Sequence, residues 1–426
     1  MSEHALSALS AAELTAFATT QQAAHDTLVG RGLALDLTRG KPSAEQLDLA
    51  NGLLDLPRGH TDPTGVDCRN YGGLLGLSGL RAIFADLLGV DTSQLVAQGN
   101  SSLQLMHETL VNCLLHGAVD SQRPWIREEK LTFICPVPGY DRHFALLESL
   151  GIEMVTVPLN DDGPDPAAVA RLVADDPSIK GLWIVPTYSN PSGAVCSQEV
   201  AAALTAMPAA APDFKIFWDN AYALHHLTAE ETKSPDVLSL ASAAGHPHRP
   251  VLFASTSKIS FAGAGVAFFG GSAETIDWWS KHQSKATIGP DKVNQLRHLQ
   301  FFRDPEGVRA HMSKHRSIIA PKFAEVERVL SERLGGYQVA SWTTPTGGYF
   351  VSVDVLPGTA GRVVQLAAQA GIALTPAGSS FPYGNDPHQQ NLRLAPTFPV
   401  LAEVTEAMDG FATCVLLAAA EKLGAG

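Results

Sequence analysis

The stretch "LTFICPVPGYDRHFALLESLGIEMVTVPL" (131–159) contains the alternation that decides the fold. Residues 131–135 form a short apolar run, 141–151 carry apolar residues at helical spacing, and 153–159 form a second strand-like run. This order and spacing predict two parallel strands joined by a helix in a right-handed crossover. Short, continuously apolar strands are expected when helices cover both faces of a sheet.

The same alternation continues towards the C-terminus, through "PDPAAVARLVADD" (164–176), "KGLWIVP" (180–186), "SQEVAAALTAM" (197–207) and "FKIFWDN" (214–220). From about residue 291 longer helical patterns appear, followed by a mixture of short strands and helices. The sequence therefore predicts an α/β fold with two domains. The predicted large domain has a mostly parallel sheet and spans 61–320, and a small α+β domain combines the N-terminal segment 1–60 with 321–426.

Composition excludes several classes of partner. The 426 residues are 45% hydrophobic and 17% charged, as is typical of a globular protein. The formal net charge of -13 argues against nucleic acid, because a phosphate backbone binds a basic surface. No apolar run reaches the length of about 18 residues that a membrane span needs. Residues 1–17 include acidic side chains and no basic region, so they predict an amphipathic helix and not a signal peptide.

The cysteines and histidines point to no metal site. The cysteines are odd in number, scattered and never in C-x-x-C, which disfavours a disulfide framework and a zinc site and favours the cytoplasm. His225 and His226 are adjacent, so their rings would not share a helix face. The five cysteines are Cys68, Cys113, Cys135, Cys196 and Cys414.

Polar residues follow the predicted strands, and ligands bind at the carboxyl ends of strands in open parallel sheets. Ser101 and Ser102 precede a helical stretch whose first turn could hold an anion such as phosphate, although ordinary N-capping by serine is the more frequent explanation of such residues. Tyr140 could stack on a planar ring, or it could be an ordinary core tyrosine. Asn190 could point from a strand end, or it could serve only the turn "SNPSG" (189–193).

Two further strand ends carry ionisable groups. Asp219 ends a buried strand and is followed by Tyr222, and a carboxyl group there is costly without a partner. Lys258 lies in the middle of "VLFASTSKISFAGAGVAFF" (251–269). A lysine that is buried becomes available as a nucleophile or Schiff-base partner. The alternative is a lysine whose stem is buried while its amine reaches water.

Together these residues predict pyridoxal phosphate as the ligand. This cofactor has a phosphate, a flat ring, a phenolic oxygen, a pyridine nitrogen and an aldehyde that condenses with lysine. Lys258 would form the Schiff base, and Asp219 would hold the pyridine nitrogen protonated. Asn190 and Tyr222 would hydrogen-bond the phenolic oxygen, while Tyr140 would cover one face of the ring.

At this point the sequence resembles the fold type I pyridoxal-phosphate enzymes, specifically the aspartate aminotransferase superfamily. The matching motifs keep the family's order and cover most of the chain. "LTRGKPS" (37–43) and "PGYDRHFA" (138–145) resemble a bacterial subgroup of aspartate aminotransferases. The other matching motifs are "NYGGLLGLSGLR" (70–81), "GNSS" (99–102), "NPSG" (190–193), "DNAY" (219–222), "STSK" (255–258), "GGYF" (347–350) and "NLRLA" (391–395).

The resemblance implies further roles for individual residues. Tyr71 would reach across a homodimer to the partner's cofactor phosphate, although it also suits a Tyr-Gly-Gly turn. Arg393 would clamp the α-carboxylate of the substrate through a bidentate pair. Gly40 would bring its backbone close to that carboxylate, and Ser255 and Ser257 would supply hydroxyls on the phosphate side.

One departure from the family concerns the phosphate. Many relatives have an arginine seven or eight residues after the lysine, where this sequence has Gly265 and Val266. The resemblance therefore leaves open which group compensates the phosphate charge, and Lys285, Arg249 or neutral donors are candidates.

The reaction implied by the resemblance is transamination with ping-pong kinetics, between an L-amino acid and a 2-oxo acid. Aspartate and 2-oxoglutarate are the expected pair, and Arg39, Lys41 or Lys285 are candidates for binding a second substrate carboxylate. Two alternatives remain open at the level of sequence, because a fold does not fix a function. One is a lyase, decarboxylase or synthase with the same cofactor, and the other is a non-catalytic amino-acid sensor.

Overall fold

The computed structural model describes residues 5–425. The part of the predicted first helix that falls on residues 1–4 lies outside this range. The chain then forms a short 3-10 helix, Leu6–Ala8, and a long α-helix that starts at Ala11.

Helices and strands alternate through most of the described chain. The α-helices are α1 (Ala11–Gly30), α2 (Ala44–Asp48), α3 (Ser78–Leu88), α4 (Ser102–His116), α5 (Asp141–Ser149), α6 (Pro166–Val173), α7 (Gln198–Ala206), α8 (Val237–Ala243), α9 (Ala273–Gln283), α10 (Lys292–Phe302), α11 (Pro305–Leu334), α12 (Ala360–Gln369) and α13 (Leu401–Gly424). The strands are β1 (Leu35–Asp36), β2 (Leu95–Ala97), β3 (Thr132–Val137), β4 (Glu153–Asn160), β5 (Gly163–Pro164), β6 (Ile179–Ile184), β7 (Lys215–Asp219), β8 (Pro250–Ser255), β9 (Ala267–Gly270), β10 (Ala340–Trp342), β11 (Val351–Val355), β12 (Ile372–Ala373) and β13 (Asn391–Leu394).

An eight-stranded sheet in the order β2-β9-β8-β7-β6-β3-β4-β5 organises the central part of the chain. The strands β8, β7, β6, β3 and β4 are parallel, as the alternation predicts. β9 is antiparallel to both of its neighbours, β2 and β8, so β2 runs in the direction of the parallel strands. The carboxyl ends of β2, β3, β6, β7 and β8 therefore lie along one edge of the sheet.

β4 does not match the expectation of a continuously apolar strand. Its residues alternate between buried and more exposed positions. The reason is its place near the end of the sheet, where its outer neighbour β5 is only two residues long.

Two hydrophobic cores cover the two faces of this sheet. Along β7, Ile216 and Trp218 pack in the core that includes residues of α3, α7 and α10. Phe217, between them, packs in the core that includes residues of α4, α5 and α9. This alternation explains why the central strands are apolar on both faces.

A third core joins the two ends of the chain. α1, α12 and α13 pack there with the C-terminal part of α11 and with the antiparallel sheet β10-β11-β13. β1 pairs with β12, which places the N-terminal segment against the C-terminal one. α11 is continuous from Pro305 to Leu334, so the predicted boundary at residue 320 falls inside a helix. The division into 1–60, 61–320 and 321–426 stays a prediction.

A substitution at Gly181 in β6 would test how closely the sheet is packed. A Cβ at this position would lie 2.3 Å from the ring of Phe133. We expect Gly181→Ala to lower the free energy of unfolding by about 1–3 kcal/mol, because overpacking forces neighbours to shift. Urea denaturation followed by circular dichroism measures the change.

The matched control is Gly361→Ala in the first turn of α12, where a Cβ would meet nothing within 4 Å. It should leave the free energy of unfolding unchanged or raise it by up to about 1 kcal/mol, because alanine favours a helix over glycine. Equal effects of the two substitutions would contradict the described packing of Gly181.

Candidate active site

The predicted phosphate-side residues come together at the N-terminus of α4. Ser101 is the N-cap of this helix and accepts a hydrogen bond from the backbone of Gln104, while Ser102 is its first residue. The Oγ of Ser257 donates to the carbonyl of Asn100 at 3.4 Å, and the Oγ atoms of Ser255 and Ser257 are 3.0 Å apart. Ser101 thus caps α4, and the four serines form one cluster of hydroxyls at a helix N-terminus. Their role at a phosphate stays a prediction.

The position of the arginine found in many relatives cannot hold one here without rearrangement. A Cβ at Gly265 would lie 2.8 Å from Oγ1 of Thr256, and Val266 is 1% exposed. Arg249 is not a substitute, because it precedes β8 at the opposite edge of the sheet and donates to the carbonyls of Thr205 and Met207 at 2.7 Å. Lys285 is exposed.

The carboxyl group of Asp219 is buried, and only one of its two oxygens has a hydrogen-bond partner among residues 5–425. Asp219 ends β7 and is 3% exposed. Its Oδ2 accepts a hydrogen bond from Nε2 of His143 at 2.9 Å, and the imidazole of His143 stacks on Trp183 with ring centroids 4.2 Å apart. Its Oδ1 is also buried but has no hydrogen-bond partner. One oxygen of this group is thus held by the protein, and the other is available to a ligand.

Three tyrosines surround the amine of Lys258. Its Nζ lies 4.9 Å from the ring centroid of Tyr222 and 5.9 Å from that of Tyr349. Burial raises the pKa of Tyr140 to about 12, and the nearby charge of Lys258 partly opposes this rise. Burial also raises the pKa of Tyr222 above its usual range. These phenols therefore keep their protons at neutral pH and can donate hydrogen bonds.

Buried histidines hold the turn that carries the lysine. Nε2 of His225 donates to the carbonyl of Lys258 at 3.3 Å, and Nε2 of His311 donates to the next carbonyl, that of Ile259, at 2.7 Å. Nε2 of His315 lies 3.0 Å from Nε2 of His311 and also interacts with the Ile259 backbone. Two successive carbonyls of the turn are therefore fixed by imidazole rings.

This cluster also reaches the N-terminal segment. The amide nitrogen of Gln46 in α2 contacts Nδ1 of His315 at 3.0 Å and donates to the hydroxyl of Tyr349 at 2.9 Å. Gln46 is fully buried. α2 begins shortly after Gly40, so the predicted substrate side and the lysine turn are connected through buried hydrogen bonds.

Arg393, on β13, approaches the carboxyl ends of the large sheet. Its Nη1 donates to Oδ1 of Asp141 at 2.8 Å and to Oδ1 of Asn190 at 3.4 Å. Its guanidinium carbon lies 5.1 Å from the ring centroid of Phe350. The same ring lies against Gly40, where a Cβ would be only 2.1 Å from it. The ring of Phe350 therefore lies against both Gly40 and Arg393. A residue larger than glycine at position 40 would displace that ring.

Buried polar atoms without partners concentrate in this region. Most buried polar atoms in proteins are hydrogen-bonded, so such a concentration is typical of a ligand site. They follow β6, end or follow β7, or lie on β13. The atoms are Oγ1 of Thr187, Nδ2 of Asn190, Oδ1 of Asp219, Oδ1 and Nδ2 of Asn220, Nδ1 of His225 and Nε of Arg393.

Tyr71 and Arg39 do not join the other predicted site residues. Within residues 5–425, no hydrogen bond or ion pair connects either side chain to them. Tyr71 is 81% exposed, and Nζ of Lys292 fixes its loop by donating to the carbonyls of Asn70 and Gly72. Arg39 pairs with Asp36 at 2.7 Å.

Several residues that contact the site were not predicted from the sequence. For Asp141 and His143 a signal was available, because both follow Tyr140 in the first turn of α5, directly after a strand. His225 also follows the DNAY motif closely. His311 and His315 carried no signal, because α11 is far away in sequence and its histidines fit an ordinary helix.

The described residues contain neither a candidate metal cluster nor a candidate membrane span. Within residues 5–425, no group of three or more histidine, cysteine, aspartate or glutamate side chains is placed to hold a metal ion. In the same range, no helix combines the length and the apolar character needed to cross a membrane.

The fold and the site together define the class of fold type I aminotransferases. The crystal structure of an aspartate transaminase from Corynebacterium glutamicum matches with a TM-score of 0.97 at 52% identity, covering 99% of this chain and 100% of that chain. An α-aminoadipate aminotransferase from Thermus thermophilus, crystallised with N-(5'-phosphopyridoxyl)-L-leucine, matches with a TM-score of 0.71 over 94% of this chain and 95% of that chain. Its identity of 20% supports the fold alone.

Sequence comparison gives the family. Residues 9–426 match the family described as aspartate amino-transferase. An aspartate aminotransferase of Corynebacterium glutamicum is 54% identical over 399 residues, which cover 93% of this chain and 92% of the relative. The chain belongs to the aspartate amino-transferase family, and it is an aminotransferase. The fold and family predicted from the sequence are confirmed.

The buried histidines predict a pH dependence of stability. Burial lowers the pKa of both His225 and His315 to about 3. Below pH 6.5 the unfolded chain takes up protons on these residues while the folded protein does not, so the free energy of unfolding falls as pH falls from 6.5 towards 3. Between pH 7 and pH 5 the free energy of unfolding should fall by about 2 kcal/mol less in His315→Gln than in the wild type. Urea denaturation at both pH values measures this difference.

The control is His60→Gln, the same change at an exposed side chain. In this variant the free energy of unfolding should differ between pH 7 and pH 5 by the same amount as in the wild type. A His315→Gln variant with the wild-type pH dependence would show that His315 is protonated equally in the folded and unfolded states.

Proposed function

We propose that the protein is a pyridoxal-phosphate-dependent transaminase that moves an amino group between L-aspartate and 2-oxoglutarate by a ping-pong mechanism. The observation that carries the proposal is the buried carboxyl group of Asp219 with one unpaired oxygen, at the sheet edge where the amine of Lys258 lies beside two tyrosine rings. The substrate pair is supported by the relative named aspartate aminotransferase, which is 54% identical over 93% of this chain.

The residues present fit pyridoxal phosphate. Oδ1 of Asp219 is a buried acceptor suited to a protonated ring nitrogen, and Nδ2 of Asn190 is a buried donor suited to a phenolic oxygen. The phenol of Tyr222 would be a second donor to that oxygen, and Tyr140 would lie on the ring. The serine cluster at the N-terminus of α4 suits the phosphate, because a helix N-terminus offers free N–H groups and a positive potential. That cluster is Ser101, Ser102, Ser255 and Ser257.

When bound, the cofactor supplies an aldehyde that condenses with amines and a ring that takes up the electron pair released at the substrate α-carbon. Nζ of Lys258 would attach the cofactor covalently, and the amine set free by the substrate would remove the α-proton as general base. Asp219, oriented by His143, would keep the ring nitrogen protonated. The hydrogen bonds from His225 and His311 would fix the turn that carries Lys258. The amine would then stay close to the substrate α-carbon and to the cofactor carbon that receives the proton.

Substrate binding would rely on Arg393 and the surfaces beside it. The guanidinium would clamp the α-carboxylate, with Asn190 next to it and the backbone of Gly40 close by. For the second carboxylate of aspartate we retain Arg39 and Lys41 as candidates. Both follow β1, and Lys41 already lies with its amine 4.0 Å from the ring centroid of Phe398.

The assembly we propose is a homodimer in which Tyr71 contacts the partner's cofactor phosphate. Support comes from the 81% exposure of Tyr71 on a loop whose backbone is held by Lys292. Its phenol would help to compensate for the arginine that Gly265 replaces. We propose the cytoplasm as the location, because all five cysteines are unpaired and buried, as is typical of proteins from a reducing compartment.

Steady-state kinetics with aspartate and 2-oxoglutarate test the proposal. We expect oxaloacetate to form, with parallel lines in double-reciprocal plots. Lys258→Ala should lower kcat by at least about 10³-fold, because it removes the general base. Lys130→Ala, at an exposed lysine that precedes β3 at the opposite edge of the sheet, is the control and should keep the wild-type rate. No oxaloacetate from any concentration of aspartate, or full activity of Lys258→Ala, would contradict the proposal.

A further inference from the structure

The guanidinium of Arg393 already binds a carboxylate of the protein. Its Nη1 donates to Oδ1 of Asp141 at 2.8 Å, which is the length of a strong charge-assisted hydrogen bond. The side chain of Arg393 is 7% exposed and that of Asp141 is 35% exposed. The pair therefore joins a buried cation to an anion that borders solvent.

The remaining nitrogens of Arg393 show from which side a ligand can approach. Nε is buried from solvent and has no partner. Nη2 is not among the buried unpaired atoms, and it has no hydrogen bond to any residue from 5 to 425. A carboxylate from solution therefore meets the Nη1 and Nη2 end of the guanidinium. A bidentate pair at that end needs an N–H of Nη1, and the two N–H groups of Nη1 already face Oδ1 of Asp141 at 2.8 Å and Oδ1 of Asn190 at 3.4 Å.

We propose that Asp141 is a built-in competitor of the substrate, which occupies the carboxylate clamp of Arg393 and is displaced when substrate binds. This inference rests on the proposed role of Arg393 as the clamp. Two carboxylates on one guanidinium would leave an excess negative charge, so the substrate carboxylate and Asp141 exclude each other at Nη1.

The position of Asp141 suits such an exchange. It is the first residue of α5, where the helix dipole stabilises a negative charge even without the arginine. Its backbone is fixed between Tyr140 and His143, so the exchange needs a rotation of one partly exposed side chain. Arg393 would then be paired both with and without substrate, which avoids an uncompensated buried charge in either state. The competitor weakens the binding of every carboxylate and speeds its release.

Calorimetric titration of the holoenzyme with maleate, a dicarboxylate that carries no amino or keto group, tests the inference. We expect Asp141→Asn to lower the Kd for maleate about tenfold, which corresponds to about 1.4 kcal/mol. The KM for aspartate should fall with it, while kcat does not rise. Glu148→Gln removes the same charge from the exposed face of α5, about 10 Å along the helix, and should leave the Kd unchanged.

Asp141→Asn that binds maleate with the wild-type Kd, or more weakly, would overturn the inference, because Asp141 would then only orient Arg393. Asp141→Ser, which also suits the start of a helix, must give the same direction. Cofactor absorbance and circular dichroism of each variant verify that it is folded and loaded.

Arg393→Gln separates this inference from the proposed function. If Arg393 is the clamp, Arg393→Gln weakens maleate binding, and adding Asp141→Asn to it changes nothing further, because the two effects are coupled. If Arg393→Gln binds maleate like the wild type, the clamp itself is wrong and the inference falls with it. If Arg393→Gln loses binding while Asp141→Asn has no effect, only the role of Asp141 is refuted.

Discussion

Asp219 places an ionisable group at the end of a fully buried strand. The side chains around it offset part of the free-energy cost of burying this carboxyl group. A buried carboxyl group without partners destabilises a protein by several kcal/mol. Here only one oxygen is satisfied, by His143, which in turn stacks on Trp183. The parallel sheet makes this possible, because it brings the end of β7 and the start of α5 to the same edge. In the proposed function, the second oxygen would accept a hydrogen bond from the protonated ring nitrogen of the cofactor.

The first turn of α5 links this carboxyl group to the substrate side. Within four residues it carries Asp141, which pairs with Arg393, and His143, which binds Asp219. It also carries Tyr140, which is proposed to lie on the cofactor ring. The backbone at the start of α5 therefore sets the positions of all three side chains together. Arg393 reaches this turn from the small sheet, so the geometry of the proposed clamp depends on how the two parts of the chain pack together.

Local patterns were enough to predict the parallel sheet and the residues at its edge. Lys258, Asp219 and Asn190 follow strands whose direction is set by apolar runs and crossover spacing, so their meeting could be expected. The role of His311 and His315 could not, because it depends on how α11 packs against the lysine turn, a contact between residues about 50 positions apart. The pairing of Asp141 with Arg393 likewise depends on the docking of β13, which no local pattern encodes.

The most direct measurement of the central claim is the chemical identification of the lysine that binds the cofactor. The holoenzyme is reduced with borohydride, digested, and searched by mass spectrometry for a phosphopyridoxyl group. We expect this group on the peptide that contains Lys258. A group on another buried lysine, such as Lys322, or no modified peptide after reconstitution with pyridoxal phosphate, would contradict it.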